Sequence, residues 1–171
     1  MSAFLLSQIL AGLVILVDAT ALQMRKRSHL QLCLCLASSL LAIHFFLLDK
    51  QTAGWMMVLA AVRFFITIHW QSKWLAALFV VVSLTTTAYT FAGYLSLLSG
   101  AGNLLSTLGS FCKTDRALRL MLISASCCWI VHNTLAFTPL GILVEGIFLS
   151  SGLIGFYRYH LRPKPKPCDA P

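Results

Sequence analysis

SSLLAIHFFLLDKQTAG, residues 38–54, and SCCWIVHNTLAFTPLG, residues 126–141, are built to one plan. Each is an apolar run with a single histidine late in it, then a short polar break, then a glycine. An apolar run of this kind fits a membrane helix that reaches headgroups and water where its polar break begins. The two copies stand 88 residues apart: His44 aligns with His132, Ser38 with Ser126 and Leu47 with Leu135, and Gly54 reaches Gly141 after one deletion. The first question is therefore whether the whole chain is a membrane bundle in two related halves.

Composition answers the membrane part. Of 171 residues, 58% are hydrophobic and 11% charged, with mean hydropathy +0.83. Soluble domains carry about 25% charged residues, so much of this apolar surface must face lipid. A crossing takes roughly 20 residues, which leaves room for about six or seven crossings and no soluble domain. The expected fold is all-α, with seven transmembrane helices near 3–22, 29–48, 52–70, 74–92, 95–111, 117–136 and 139–159. The breaks are Arg25-Lys26-Arg27-Ser28, Asp49-Lys50-Gln51, Gln71-Ser72-Lys73, Gly93 to Gly100, Lys113-Thr114-Asp115-Arg116 and Thr138-Pro139. Residues 161–171 form a basic, proline-rich tail expected to be extended.

The formal charge of +8 fits topology, not nucleic acid. With the N-terminus outside, the odd loops and the tail hold Arg25, Lys26, Arg27, Lys73, Lys113, Arg116, Arg119, Arg158, Arg162, Lys164 and Lys166. The outside holds only Lys50, and Arg63 lies within the third helix. That asymmetry places the tail in the cytoplasm. The first apolar run ends in Ala19-Thr20-Ala21, as a cleaved signal peptide would, but its positive charges follow the run instead of preceding it, which suits a first membrane helix.

Helices 1–3 (residues 1–70) resemble helices 5–7 (residues 95–160), with helix 4 (74–92) between. Three helices put a unit's ends on opposite sides, so the inserted fourth makes the two units parallel, a 3+1+3 layout within one transmembrane domain, 1–160. Parallel repeats place a site at their interface near the midplane.

The run Arg27-Ser28-His29-Leu30, then Leu41-Ala42-Ile43-His44-Phe45-Phe46-Leu47-Leu48, Gly54 and Arg63-Phe64, resembles the YgjV-type bacterial inner-membrane proteins. So do Arg119, Trp129-Ile130-Val131-His132-Asn133, Gly141, Glu145 and Ser150. The resemblance spans Arg25 to Arg158 and implies a multi-pass protein of the inner membrane; it brings no activity with it. The 3+1+3 layout is also similar to the SWEET and PQ-loop transporters. Those usually carry a proline in the first helix of each repeat, which this chain lacks in helices 1 and 5; its one proline in the membrane region is Pro139.

A charge at the bilayer centre costs roughly 2.5–3.5 kcal/mol, so such residues face a partner or a cavity. Asp18 and Arg63 match in depth and are a candidate pair; a cap and a snorkelling stem are the structural alternative. Glu145 and His132 also match in depth and are candidates to bind a cation or relay a proton; an interhelical hydrogen bond is the plainer alternative. Asn133 and Trp129 share the His132 helix, and Trp129 fits packing as well as ligand stacking. His44 falls where headgroups begin, beside Asp49 and Lys50.

Small residues at four-residue spacing, Gly102, Ser106 and Ser110 in helix 5 and Gly146 and Ser150 in helix 7 with Ser151 and Gly155 beside them, point to contact between those helices. Among the six cysteines, Cys33, Cys35, Cys112, Cys127, Cys128 and Cys168, none forms a Cys-x-x-Cys or a zinc spacing with histidine. Neither metal nor cofactor is implied. The acidic residues Asp18, Asp49, Asp115, Glu145 and Asp169 are scattered and offer no paired-carboxylate site, and no hydrolase, P-loop or dinucleotide motif is present. The expected activity is therefore not enzymatic. It is a small-solute permease with a site between the halves, lined by Arg63, His132, Asn133 and Glu145. Its expected partners are the bilayer, a small polar solute or proton, and in one arrangement a second copy of the chain. The alternative is a membrane scaffold that works through the basic tail.

Overall fold

In the computed structural model, residues 3–161 are described; the side chains of residues 3–5 and 8 are not. Seven α-helices and one π-helical turn account for the described chain, which contains no strand. They are α1 (Ala3–Ala21), α2 (Arg27–Leu47), α3 (Gln51–Thr67), α4 (Lys73–Tyr89), α5 (Tyr94–Phe111), α6 (Asp115–Leu135) and α7 (Pro139–Phe156), then a π turn over Tyr157–Leu161. Three segments meet the length and hydropathy of a membrane span in full: Arg27–Leu47, Asp115–Leu135 and Pro139–Leu161.

The ends differ from expectation by a few residues. α3 stops at Thr67, whose hydroxyl donates back to the Arg63 and Phe64 carbonyls. The break before α5 ends at Gly93, which takes φ +108 and caps the helix, so Gly100 lies inside α5. Leu161 belongs to the π turn, not to the extended tail; residues 162–171, with Cys168 and Asp169, lie outside the described residues.

The two opening stretches fold alike. α2 and α6 start and stop 88 residues apart, as do the starts of α3 and α7. Each of α2 and α6 ends in a Schellman motif. Asp49 N–H donates to Phe46 O and Lys50 N–H to Phe45 O; Phe137 N–H donates to Thr134 O and Thr138 N–H to Asn133 O. The left-handed position falls on Asp49 (φ 56) and Phe137 (φ 52). Phenylalanine is strained there, and Phe137 is 89% exposed, so its side chain gives little packing in return. Phe137→Gly is expected to leave the melting temperature unchanged or raise it. Phe137→Val, branched at Cβ, should cost about 1 kcal/mol in detergent melts.

Six helices form a ring. α1 packs on α2, α2 on α3, α3 on α5, α5 on α6, α6 on α7, and α7 closes back on α1; α4 lies outside against α3 and α5. The α3/α5 and α1/α7 seams fall on opposite sides of that ring. Leu30, Leu34, Phe64, Leu118 and Leu122 pack together at one end of its interior. Phe45 stacks on Trp129 farther along, with ring centroids 6.2 Å apart. Large apolar side chains such as Leu16, Leu32, Leu36 and Trp74 point outward, as lipid requires.

The small-residue stripes serve neighbours other than those expected. A methyl at Gly102 would meet the Trp129 indole of α6 at 2.7 Å, and Ser106 receives Arg63 of α3. On α7, Gly155 sits against the Leu22 carbonyl after α1, where a Cβ would lie 2.5 Å from that oxygen. Gly146 faces open space. The correction follows from the ring order, in which α5 and α7 are both neighbours of α6 and do not share a seam. Gly155→Ala should push α7 off the Leu22 backbone and cost about 1–3 kcal/mol in thermal melts.

Candidate functional site

Asp18 from α1, Arg63 from α3 and Glu145 from α7 converge on a cavity of about 70 Å³ inside the ring, with Ser38, Ser106, Ser126 and Trp129 around it. Helix α4 contributes nothing to this lining. Much of the wall comes in pairs 88 residues apart: Asp18 and Ser106, Leu34 and Leu122, Ser38 and Ser126, Leu41 and Trp129, Met57 and Glu145, Ala60 and Phe148. The chemistry is not paired. Both acids stand on the α1/α7 seam, opposed by serine and methionine at the matching places. The arginine stands on the α3/α5 seam across the ring.

Arg63 is fully buried, and its hydrogen-bond partners are neutral. Nη1 donates to Asn103 Oδ1 (3.0 Å), to Thr107 Oγ1 (2.5 Å) and to the Asn103 carbonyl (3.3 Å); Nη2 donates to Ser106 Oγ (2.8 Å). Asn103 is held in turn by its Nδ2 donating to Ser83 Oγ of α4 (2.9 Å). The guanidinium also lies 4.6 Å from the Phe64 ring centre. Its Nε has no partner. The expected Asp18–Arg63 ion pair is therefore absent among the described residues: the two face one cavity from opposite seams, and the fork of Arg63 is occupied by α5.

The expected Glu145–His132 pair is also not formed. Glu145 accepts from Ser126 Oγ at 2.5 Å. His132 turns toward the other end of the bundle, with Nδ1 3.4 Å from Asn133 Oδ1, and lines a separate cavity of about 310 Å³ with Asp49, Lys50, Thr52, Ser96, Ser99 and Thr138. Glu145 instead shares a small space of about 20 Å³ with His44, Asn133 and Trp129. His44 is buried, not at a wet interface, because its Nδ1 donates to the Ser7 carbonyl of α1 at 2.9 Å. Asn133 is tied to the α6–α7 turn through Thr138, whose hydroxyl donates to its Oδ1 at 3.1 Å. Trp129 both packs, on Phe45, and lines the cavity.

One juxtaposition runs against the sequence reading. Asp18 and Glu145, 127 positions apart, line one cavity. Two of the acids scattered in sequence thus face one cavity, because α7 closes the ring onto α1. The polar partners of Arg63 are a further addition. Asn103, Ser106 and Thr107 are spaced i, i+3, i+4, a polar stripe on an otherwise membrane-like helix, and that spacing is the signal that could have found them.

Residues 5–163 match the family described as Bacterial inner membrane protein (Imp-YgjV). The chain is 30% identical to the inner membrane protein YgjV of Escherichia coli (strain K12) over 165 residues, which covers 95% of this chain and 90% of that one. The chain belongs to the YgjV family. It is an integral protein of the bacterial inner membrane, as the resemblance implies. No solved structure matches it. In this YgjV-family chain three ionisable side chains from three helices thus converge inside the ring.

Proposed function

We propose that this YgjV-family protein is a small-solute transporter or permease. It works as seven membrane helices in two parallel three-helix units, α1–α3 and α5–α7, joined by α4, with its N-terminus outside and its tail cytoplasmic. The observation that carries the reading is that both units line the space inside the ring: the central wall holds residues paired 88 apart, and the larger cavity takes Asp49 and Thr52 from one unit and Ser96 and His132 from the other. Matched turns after α2 and α6 support the repeat. A site at the interface of parallel repeats is where alternating access operates.

The 310 Å³ cavity suits a small polar solute, with hydroxyls from Thr52, Ser96, Ser99 and Thr138 and charges from Asp49 and Lys50. The Phe45–Trp129 stack stands between it and the central cavity, since Phe45 borders the first and Trp129 the second. No bond-making constellation accompanies these groups, and the activity we infer is binding and passage, not catalysis.

The test is a melting screen of the purified protein in detergent against sugars, amino acids, organic acids and nucleosides. A ligand of the folded state raises the melting temperature by mass action. A selective shift that disappears in His132→Ala supports transport through this path, and uptake into vesicles with the same selectivity completes it. No shift across the library overturns it. The scaffold reading keeps one observation: the residues before the tail are pinned, Tyr159 by its hydroxyl to the Gln23 carbonyl (2.7 Å) and His160 by Nε2 to Asp115 Oδ2 (3.1 Å). Deletion of residues 162–171 separates the two, because a scaffold loses its partner while a permease keeps its ligand.

A further inference from the structure

We propose that the cavity between Asp18, Arg63 and Glu145 binds one monovalent cation, a sodium-sized ion or a proton. The inference goes beyond the permease reading by assigning the central site its ligand, and it holds whether or not a solute is carried.

Three observations meet there. The first is charge. With all three groups ionised, two carboxylates and one guanidinium leave a single negative charge in a low-dielectric interior, where an uncompensated charge is costly. One bound positive charge neutralises it.

The second is an unused ligand. Asp18 is 95% removed from solvent, faces the cavity, and makes no hydrogen bond among the described residues. A buried carboxylate with no described protein partner is free to ligate a cation in the cavity it faces. Glu145 lines the same cavity, and Ser126 engages only Oε2 of its carboxylate. Arg63 does not fill the role: Asn103, Ser106 and Thr107 hold its fork on the opposite seam.

The third is size and donor type. About 70 Å³ is room for roughly two waters, or one ion with a water, and too little for a sugar or an amino acid. Carboxylate and hydroxyl oxygens from Asp18, Glu145, Ser38 and Ser126 suit a hard cation. No group of three or more histidine, cysteine, aspartate or glutamate side chains gathers among the described residues, so the donors for an ion are the two carboxylates and hydroxyls. The charged and titratable groups facing the pair are Arg63 from α3, Cys33 of α2, which senses the Asp18 charge, and His44 of α2, which shares the smaller space with Glu145.

The full-length protein in detergent supplies the test. Its melting temperature is followed while sodium, potassium or lithium replaces choline at constant ionic strength, at one acidic and one alkaline pH. If the ligand is an ion of sodium size, one metal ion raises the melting temperature saturably, and more weakly at acidic pH, where protons compete. If it is a proton, no metal ion acts, and the wild type gains stability toward acid relative to Asp18→Asn. In either case Asp18→Asn abolishes the response, and Glu145→Gln weakens the apparent affinity roughly tenfold or more.

Should the carboxyl variants not fold, Ser38→Ala and Ser126→Ala keep every charge and are expected to weaken the response several-fold. A wild type indifferent to ion identity and pH overturns the proposal, and so does an Asp18→Asn protein that responds as the wild type does. The assay reads equilibrium binding, so a chain that carries no solute would still show the shift. A chain that carries solute without it would keep the permease reading and lose this one.

Discussion

Arg63→Ala is expected to be the most damaging single substitution in the bundle interior, lowering stability by about 3–5 kcal/mol. The side chain is fully buried, and its two Nη atoms collect the Asn103, Ser106 and Thr107 side chains. Truncation would leave three polar groups on α5 facing a void, each having lost a charge-assisted hydrogen bond. It would also leave Asp18 and Glu145 with no positive charge across the cavity. The α3/α5 seam is a junction between the two halves of the ring, so the loss should appear as lower cooperativity of unfolding as well as a lower melting temperature.

Arg63→Lys separates geometry from charge. It keeps the charge but cannot span Ser106 and Thr107 with one planar fork, and it should recover less than half of the loss. A double-mutant cycle with Asn103→Ala should show strong coupling, because the amide that meets the guanidinium is itself held by Ser83. An Arg63→Ala protein that melts with the wild type would mean that the guanidinium contributes no net stability where it sits.

The residues of the first stretch made most of the fold legible. Apolar runs of crossing length fixed the seven helices to within about three residues. The His44/His132 register anticipated that α2 and α6 would share their boundaries and their closing turns. The pairings inside the ring were not legible, for a physical reason. Depth along a helix can be read from the position of a residue in its run, but the direction in which a side chain points depends on which helices become neighbours. Equal depth suggested Asp18 with Arg63 and Glu145 with His132. The ring order instead put Asp18 with Glu145 and gave Arg63 to α5. His44 reads as interfacial by position and is buried because α1 covers it and supplies the Ser7 carbonyl. Of the small stripes, Gly102 and Gly155 are close-packed, but against α6 and the end of α1, while Gly146 meets nothing and Ser106 holds Arg63.

Arg119→Ala carries the second largest expected effect, about 3 kcal/mol, and acts on the opposite kind of junction. Arg119 lies at the start of α6, almost fully buried, and donates Nη1 to the Leu22 carbonyl (2.8 Å) and Nη2 to the Met24 carbonyl (2.9 Å). Those carbonyls follow the last turn of α1 and have left the helix ladder, so without the guanidinium the buried Leu22 acceptor and the half-buried Met24 acceptor would lose their donor. Arg27 of α2 does the same for α5, donating to the Ser110 and Cys112 carbonyls, both at 2.7 Å. The acceptors, 22 with 110 and 24 with 112, again stand 88 apart, so each half closes the end of the other half's first helix with an arginine.

The two clips should not be equal. Arg119 is also braced by Asp115 at 2.7 Å, which links it to His160 at the base of the tail, whereas Arg27 is only half-buried and its loss should cost about 1–2 kcal/mol. Hydrogen exchange is the measurement that distinguishes a local clip from a global one. In Arg119→Ala, protection should fall first at the end of α1 and the π turn, where Tyr159 also depends on the Gln23 carbonyl. Uniform loss of protection across all seven helices would show that these carbonyls carry no local share of the stability, and that the arginine acts on the ring as a whole.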